Sequence, residues 1–166
     1  MPGTAEAAPS AKAALADYTS GFSSDDCHVP ADGPLASWTR MPNNRPIRIL
    51  FVEDDRHTRD GYAAYLTDRG YDVVPAATGA GALKLAALLA PDVVVLDMAL
   101  PDIDGWEVAR QLKAGERTKT VPIIALTGAD LPHERASAMR AGCDRHLAKP
   151  CDPAVLLDAI QRSSGA

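Results

Sequence analysis

Five side chains in this sequence, Glu53, Asp54, Asp97, Thr127 and Lys149, could work together on a charged substrate, with Asp55 left to cap the helix that follows. Glu53, Asp54 and Asp55 are consecutive and follow an apolar run. Asp97 follows Val93–Leu96, Thr127 follows Val121–Leu126, and Lys149 stands before Pro150. Carboxylates brought together repel one another, which raises at least one pKa unless a cation intervenes. Mg²⁺ suits an open acidic cluster because it takes a few carboxylates and keeps several waters. With such a cation present, Asp97 stays ionised and can attack phosphorus. The transition state spreads charge over the equatorial phosphoryl oxygens, so catalysis is mainly positioning and neutralisation. The cation meets one oxygen, the Lys149 ammonium another, and the Thr127 hydroxyl can donate to a third.

This chemistry needs elements that bring the five residues to one place. From Ile47 onward, apolar runs of strand length alternate with helical patterns. Strands are expected at Ile47–Val52, Tyr71–Pro75, Val93–Leu96, Val121–Leu126 and Asp144–Ala148. Val93–Leu96 has no polar alternation, as expected of a strand covered on both faces. Helices are expected over Asp55–Asp68, Gly79–Leu89, from Asp104 to Gly115, over Leu131–Ala141, and after Asp152. Gly70 and Gly142 act as stops. Asp104 caps its helix, with Glu107 three residues on in a variant of the capping box, and Val108 and Leu112 face inward. The last helix opens with Asp152 as cap and Pro153 in the first turn, and buries Val155, Leu156 and Ile160. Strict alternation calls for a parallel sheet with helices on both faces and right-handed crossovers. In such sheets, function gathers at the carboxyl ends of the strands. The acids, the hydroxyl and the ammonium all fall there.

The segment Val94-Val-Leu-Asp97-Met-Ala-Leu-Pro-Asp-Ile-Asp-Gly105 resembles the phosphoacceptor region of response-regulator receiver domains. Val52-Glu-Asp-Asp55, Ala125-Leu-Thr127-Gly and Lys149-Pro150 continue the resemblance, which covers roughly residues 46–162. It implies a flavodoxin-like (βα)5 three-layer sandwich with strand order 2-1-3-4-5. It also implies roles. Asp97 is the phosphorylated residue. Asp54 binds Mg²⁺ directly, Glu53 through water, and the backbone carbonyl of Ala99 completes the protein ligands. Thr127 is the switch hydroxyl, Lys149 the phosphate-binding lysine, and the Lys149–Pro150 bond is cis. A sensor histidine kinase or histidine phosphotransfer protein donates the phosphoryl group. The surface around the fourth helix, fifth strand and fifth helix then changes for a downstream protein.

Two positions depart from the commoner pattern of the family. The switch site on the fifth strand, usually Tyr or Phe, is His146. A histidine there can still rotate inward and could add pH sensitivity, since imidazoles titrate near neutrality. Two residues after Asp97 and after Thr127 stand Ala99 and Ala129, which offer no group to orient a hydrolytic water. Self-dephosphorylation should therefore be slow to moderate.

Other readings weigh less. An aspartyl-nucleophile phosphohydrolase of the haloacid-dehalogenase-like kind wants a second Asp where Ala99 stands. A pseudo-receiver that never carries phosphate is at odds with the intact set Asp54, Asp97, Thr127 and Lys149. Gly79-Ala-Gly81 imitates a dinucleotide fingerprint but has Lys84 at the sixth position. Cys27, Cys143 and Cys151 are too sparse for a disulfide framework, and Cys143 with His146 and Cys151 lacks a fourth ligand at zinc spacing. Trp106 reads as a packing residue, His57 and His133 as surface helix residues, and Asp102 as an exposed loop residue. His28 is unassignable.

Residues 1–45 are rich in Ala, Ser, Pro, Gly and Asp and read as a flexible tail, with at most a short helix at Ser10–Tyr18. Met41 just before the periodic region offers an alternative start. Residues 46–162 form the receiver domain and 163–166 a short tail. No output domain follows, so the expected action is docking or relay by a stand-alone domain. A net charge of −5 gives no electrostatic footprint for nucleic acid. Absence of a long apolar run or signal pattern points to a cytoplasmic chain without membrane association. A monomer or weak dimer is expected.

Overall fold

The computed structural model describes residues 45–128 and 132–165. The expectations for residues 1–44, including Cys27, His28 and Met41, and for Ala129, lie outside these. Within the described residues the order is β1 (Arg48–Val52), α1 (Arg56–Thr67), β2 (Asp72–Ala76), α2 (Gly79–Leu89), β3 (Val93–Asp97), α3 (Gly105–Ala114), β4 (Ile123–Thr127), α4 (Pro132–Ala141), β5 (Arg145–Ala148) and α5 (Pro153–Ser163). All strand pairs are parallel, in the order β2-β1-β3-β4-β5. This is the parallel sheet expected from the alternation, in the flavodoxin-like strand order that the resemblance implies.

The pleat sorts the core into two layers. Leu50, Val52, Val94, Leu96, Ile123 and Ala125 point to one face and pack on α2, α3 and α4 through Leu85, Val108, Leu112 and Ala138. Their chain neighbours Ile49, Phe51, Val93, Val95, Ile124 and Leu126 point to the other, against Leu66 of α1 and Leu156 and Ile160 of α5. β3 and β4 are buried throughout, which is why their sequences show no alternation. β2 is an edge strand, so it runs through Pro75 to Ala76 without losing an interior ladder bond.

Local chemistry sets the helix ends. The side chains of Asp55, Thr78, Asp104 and Asp152 accept from backbone N–H groups of the first turns of α1, α2, α3 and α5. Gly70 and Gly142, after α1 and α4, take φ of +86° and +93°, the left-handed conformation glycine adopts without penalty.

Two expectations need correction. Val155 is 51% exposed, whereas Leu156, Ala159 and Ile160 are buried. The inner face of α5 follows the i, i+3, i+4 row from Leu156, and one residue back is a turn of about 100° away. The reciprocal capping box at α3 is replaced by another arrangement. Asp104 accepts from Trp106 N, but the Glu107 carboxylate accepts from Arg110 and Gln111.

Candidate functional site

β1 and β3 are adjacent and in register from Ile49↔Val93 to Val52↔Leu96, so Glu53 and Asp97 emerge side by side. Asp97 pairs with Leu126, which brings the end of β4 alongside, and Thr127 pairs with Ala148 just before Lys149. Parallel register therefore assembles four segments at one sheet edge.

Glu53 and Asp97 are nearly sealed from solvent, at 2% and 3% exposure, while Asp54 is exposed. Carboxylate oxygens of Glu53, Asp54 and Asp97 lie within 4.8 Å of one another. The half-buried Lys149 ammonium donates to Glu53 Oε2 at 2.6 Å and to Asp97 Oδ2 at 2.8 Å. The second oxygen of Asp97, Oδ1, accepts from the Ala99 N–H at 3.1 Å. Burial pushes the Glu53 carboxyl above its usual range, the Lys149 hydrogen bond opposes this, and the nearby Asp97 charge adds to it. For Lys149, burial favours the neutral amine, but hydrogen bonds and charge from Asp97 and Glu53 outweigh it and hold the ammonium. Fully ionised, three carboxylates face one ammonium. The surplus of two negative charges matches a divalent cation, so the donor set fits Mg²⁺.

The Thr127 hydroxyl is buried and lies 2.7 Å from His146 Nε2. The main-chain N–H of Lys149 donates to Thr127 O at 2.7 Å. The Lys149–Pro150 bond is cis. Thus Glu53, Asp54, Asp97, Thr127 and Lys149 come together at the rim, and His146 reaches it through Thr127. Asp55 stands apart as the α1 cap, accepting from Thr58 N at 2.8 Å.

Glycine is required beside Asp97. A Cβ on Gly105 would sit 2.5 Å from Met98 Cα and 2.7 Å from Asp97 O. Helix α3 therefore packs directly against the backbone that carries Asp97.

Sequence reasoning missed three supporting residues. Arg59 donates to the carbonyls of Glu53 (2.9 Å) and Asp54 (3.1 Å), fastening the acidic turn to α1. Asp102 is exposed as expected, yet its carboxylate accepts from Gly79 N and Ala80 N at 2.8 and 2.9 Å, tying the loop after β3 to the start of α2. The Tyr62 hydroxyl donates to Cys151 O. The i, i+5 spacing of Asp54 and Arg59 was visible, but the other partners are distant in sequence. Cys143 is buried, and desolvation pushes its thiol up to about 11, as for a packing residue.

A doubly covered parallel sheet in the order β2-β1-β3-β4-β5, with acids, a hydroxyl and a lysine at its carboxyl edge, defines a class of doubly wound α/β domain. Residues 49–161 match the response regulator receiver domain family, and the chain belongs to it. It is 44% identical over 105 residues to the response regulator MprA of Mycobacterium sp. strain KMS, covering 63% of this chain and 45% of that protein. It is 34% identical over 114 residues to the DNA-binding dual master transcriptional regulator RpaA of Synechocystis, covering 69% and 47%. The receiver domain of the sensor histidine kinase PA1611 of Pseudomonas aeruginosa, solved with magnesium coordinated in its active-site cleft, superposes with a TM-score of 0.68. It is 36% identical and covers 73% of this chain and 99% of that one. The chain spans about half the length of the curated relatives it matches. The family is a signalling domain of two-component systems rather than a conventional enzyme. Among the described residues no helix is long and apolar enough to cross a membrane.

Proposed function

We propose that this domain is a phosphoacceptor switch in which Asp97 takes a phosphoryl group from a sensor histidine kinase or a histidine phosphotransfer protein. The observation that carries this reading is the Lys149 ammonium bonded at once to Glu53 and Asp97, at 2.6 and 2.8 Å.

In this reading an Asp97 oxygen forms the new O–P bond while the P–N bond of the donor's phosphohistidine breaks, and the imidazole leaves with the bonding pair. Asp54 and Asp97 would hold Mg²⁺ directly, with Glu53 through water and the Ala99 carbonyl. The cation would supply charge neutralisation at the phosphoryl oxygens. Lys149 is placed to release Asp97 Oδ2 and take a phosphoryl oxygen. Thr127 donates its hydroxyl to another, and His146 follows because it is bonded to Thr127. The added charge of roughly −1.5 to −2 changes the surface near β5 for a protein partner. Such a switch signals only if that partner distinguishes the two states.

The test is incubation with Mg²⁺ and acetyl phosphate, followed by intact mass, beside Asp97→Asn. A Mg²⁺-dependent gain of one phosphoryl group in the parent alone supports the proposal. No gain, also with a histidine-kinase donor, would replace it with a pseudo-receiver that binds partners without phosphate.

A further inference from the structure

We propose that Tyr62 is a positioning residue for Lys149: its hydroxyl holds the loop after β5 where the ammonium can reach Glu53 and Asp97 together. The inference deepens the function proposed above and rests on it for its consequence, though not for its geometry.

Lys149 must satisfy carboxylates on two different strands, β1 and β3, with one flexible side chain. A lysine side chain is long and flexible, so two simultaneous short contacts demand a fixed backbone beneath them. That backbone is a short link between the end of β5 at Ala148 and the Asp152 cap of α5. Pro150 has no N–H to tie it down. On the sheet side, Lys149 N bonds to Thr127 O at 2.7 Å. Two residues on, Cys151 O accepts from Tyr62, a residue of α1 that is 89 positions away in sequence.

Tyr62 is well placed to act as a fixed post. Its ring packs on Phe51 with centroids 5.4 Å apart and planes inclined by 32°. Phe51 is fully buried in β1, two residues before Glu53. A phenol keeps its proton at neutral pH, and burial pushes that of Tyr62 further up, so the O–H is there to donate. A closed path results, from Phe51 through Tyr62, Cys151 and Lys149 to Glu53. The acid and the lysine that meets it are both referenced to the same strand. Helix α1 thereby contributes to both sides of the pocket, through Arg59 at the acidic turn and Tyr62 at the lysine loop.

The experiment uses the full chain and Tyr62→Phe, which keeps the ring and deletes only the donor. Lys149 accessibility is read by brief acetic anhydride labelling and peptide mass spectrometry without Mg²⁺. In parallel, phosphorylation by acetyl phosphate with Mg²⁺ is timed. Labelling of Lys149 should rise, and phosphorylation should slow, by about fivefold, the equivalent of one hydrogen bond. Tyr65→Phe, which removes a phenol hydroxyl from the same helix, should change neither. If Tyr62→Phe lowers thermal stability but leaves Lys149 labelling at the parent level, the hydroxyl only stabilises and the proposal is overturned. The same holds if Tyr65→Phe raises labelling equally, because the effect is then general loosening. A rise in labelling specific to Tyr62→Phe, in a protein whose parent form accepts no phosphoryl group, would uphold the positioning role and sink the phosphoacceptor reading instead.

Discussion

The Thr127 hydroxyl and the His146 ring nitrogen Nε2 are 2.7 Å apart, across two neighbouring strands. His146 stands opposite Ala125, two residues before Thr127, so the pair is a diagonal neighbour on one face of the sheet. Where an aromatic ring would couple to the hydroxyl by filling space, His146 couples by a hydrogen bond. His146→Phe and Thr127→Val should therefore be non-additive. A double-mutant cycle in urea should give a coupling of about 0.5–1.5 kcal/mol. Additive effects would show that the contact carries no energy.

The acidic cluster should make stability depend on pH and on Mg²⁺ in opposite senses. Glu53 holds its proton more tightly in the fold than in the unfolded chain, chiefly because it is buried. Its ionisation therefore subtracts stability as pH rises from the ordinary glutamate value through the raised folded one. Mg²⁺ should bind the ionised set and restore stability at pH 7, by about 1.4 kcal/mol at tenfold excess over Kd. Thermal melts in Mg²⁺ and in EDTA should differ at pH 7 and converge in acid. Asp54→Asn should abolish most of the difference. Equal melts at pH 7 would count against a metal site.

Asp102 should behave as a second cap for α2. It satisfies two N–H groups at the start of that helix while Thr78 takes a third, at Gly81. Asp102→Ala should cost about 0.5–2 kcal/mol, as loss of a cap does. The bonds from Ala80 and Gly79 hold its carboxyl below the usual range. Its contribution is thus present above the ordinary aspartate value and lost as pH falls through the depressed one. The difference between parent and Asp102→Ala in chemical denaturation should shrink in strong acid. A constant difference would mean the charge plays no part.

Gly105→Ala should damage the site from a distance. The new methyl meets the Met98 and Asp97 backbone at 2.5 and 2.7 Å, with no flexible side chain to yield. Overpacking of this kind costs about 1–3 kcal/mol. Phosphorylation of Asp97 should slow even where the fold survives. Parent-like kinetics in a stable variant would show that the backbone accommodates the group freely.

Ala99, two residues after Asp97, should set how long a phosphorylated state lasts. A methyl side chain offers no donor or acceptor to orient an attacking water, and Ala99 is exposed beside Asp97. Phospho-Asp97 should persist for minutes or longer at neutral pH, measured by intact mass after donor removal. Decay within seconds would refute this. Ala99→Asn should shorten the lifetime by supplying an amide.

Much of this protein is written in local sequence. The alternation of strands and helices follows from hydrophobic period. Asp55, Asp104 and Asp152 announce helix starts because a cap needs only neighbouring N–H groups. The acids, Thr127 and Lys149 could be placed at strand ends because each directly follows or lies beside an apolar run. Tertiary structure decided what depends on two distant segments meeting. It turned Val155 outward and Leu156 inward, since the α5 face is chosen by the sheet beneath it. It gave Asp102 partners 22 and 23 residues back, and it joined Lys149 to Glu53 across 96 positions and Tyr62 to Cys151 across 89. Periodicity and capping act over a few residues, whereas these bonds exist only after parallel pairing has set the register. Thus the sequence alone determined which residues gather at the rim, and packing determined how each is held there.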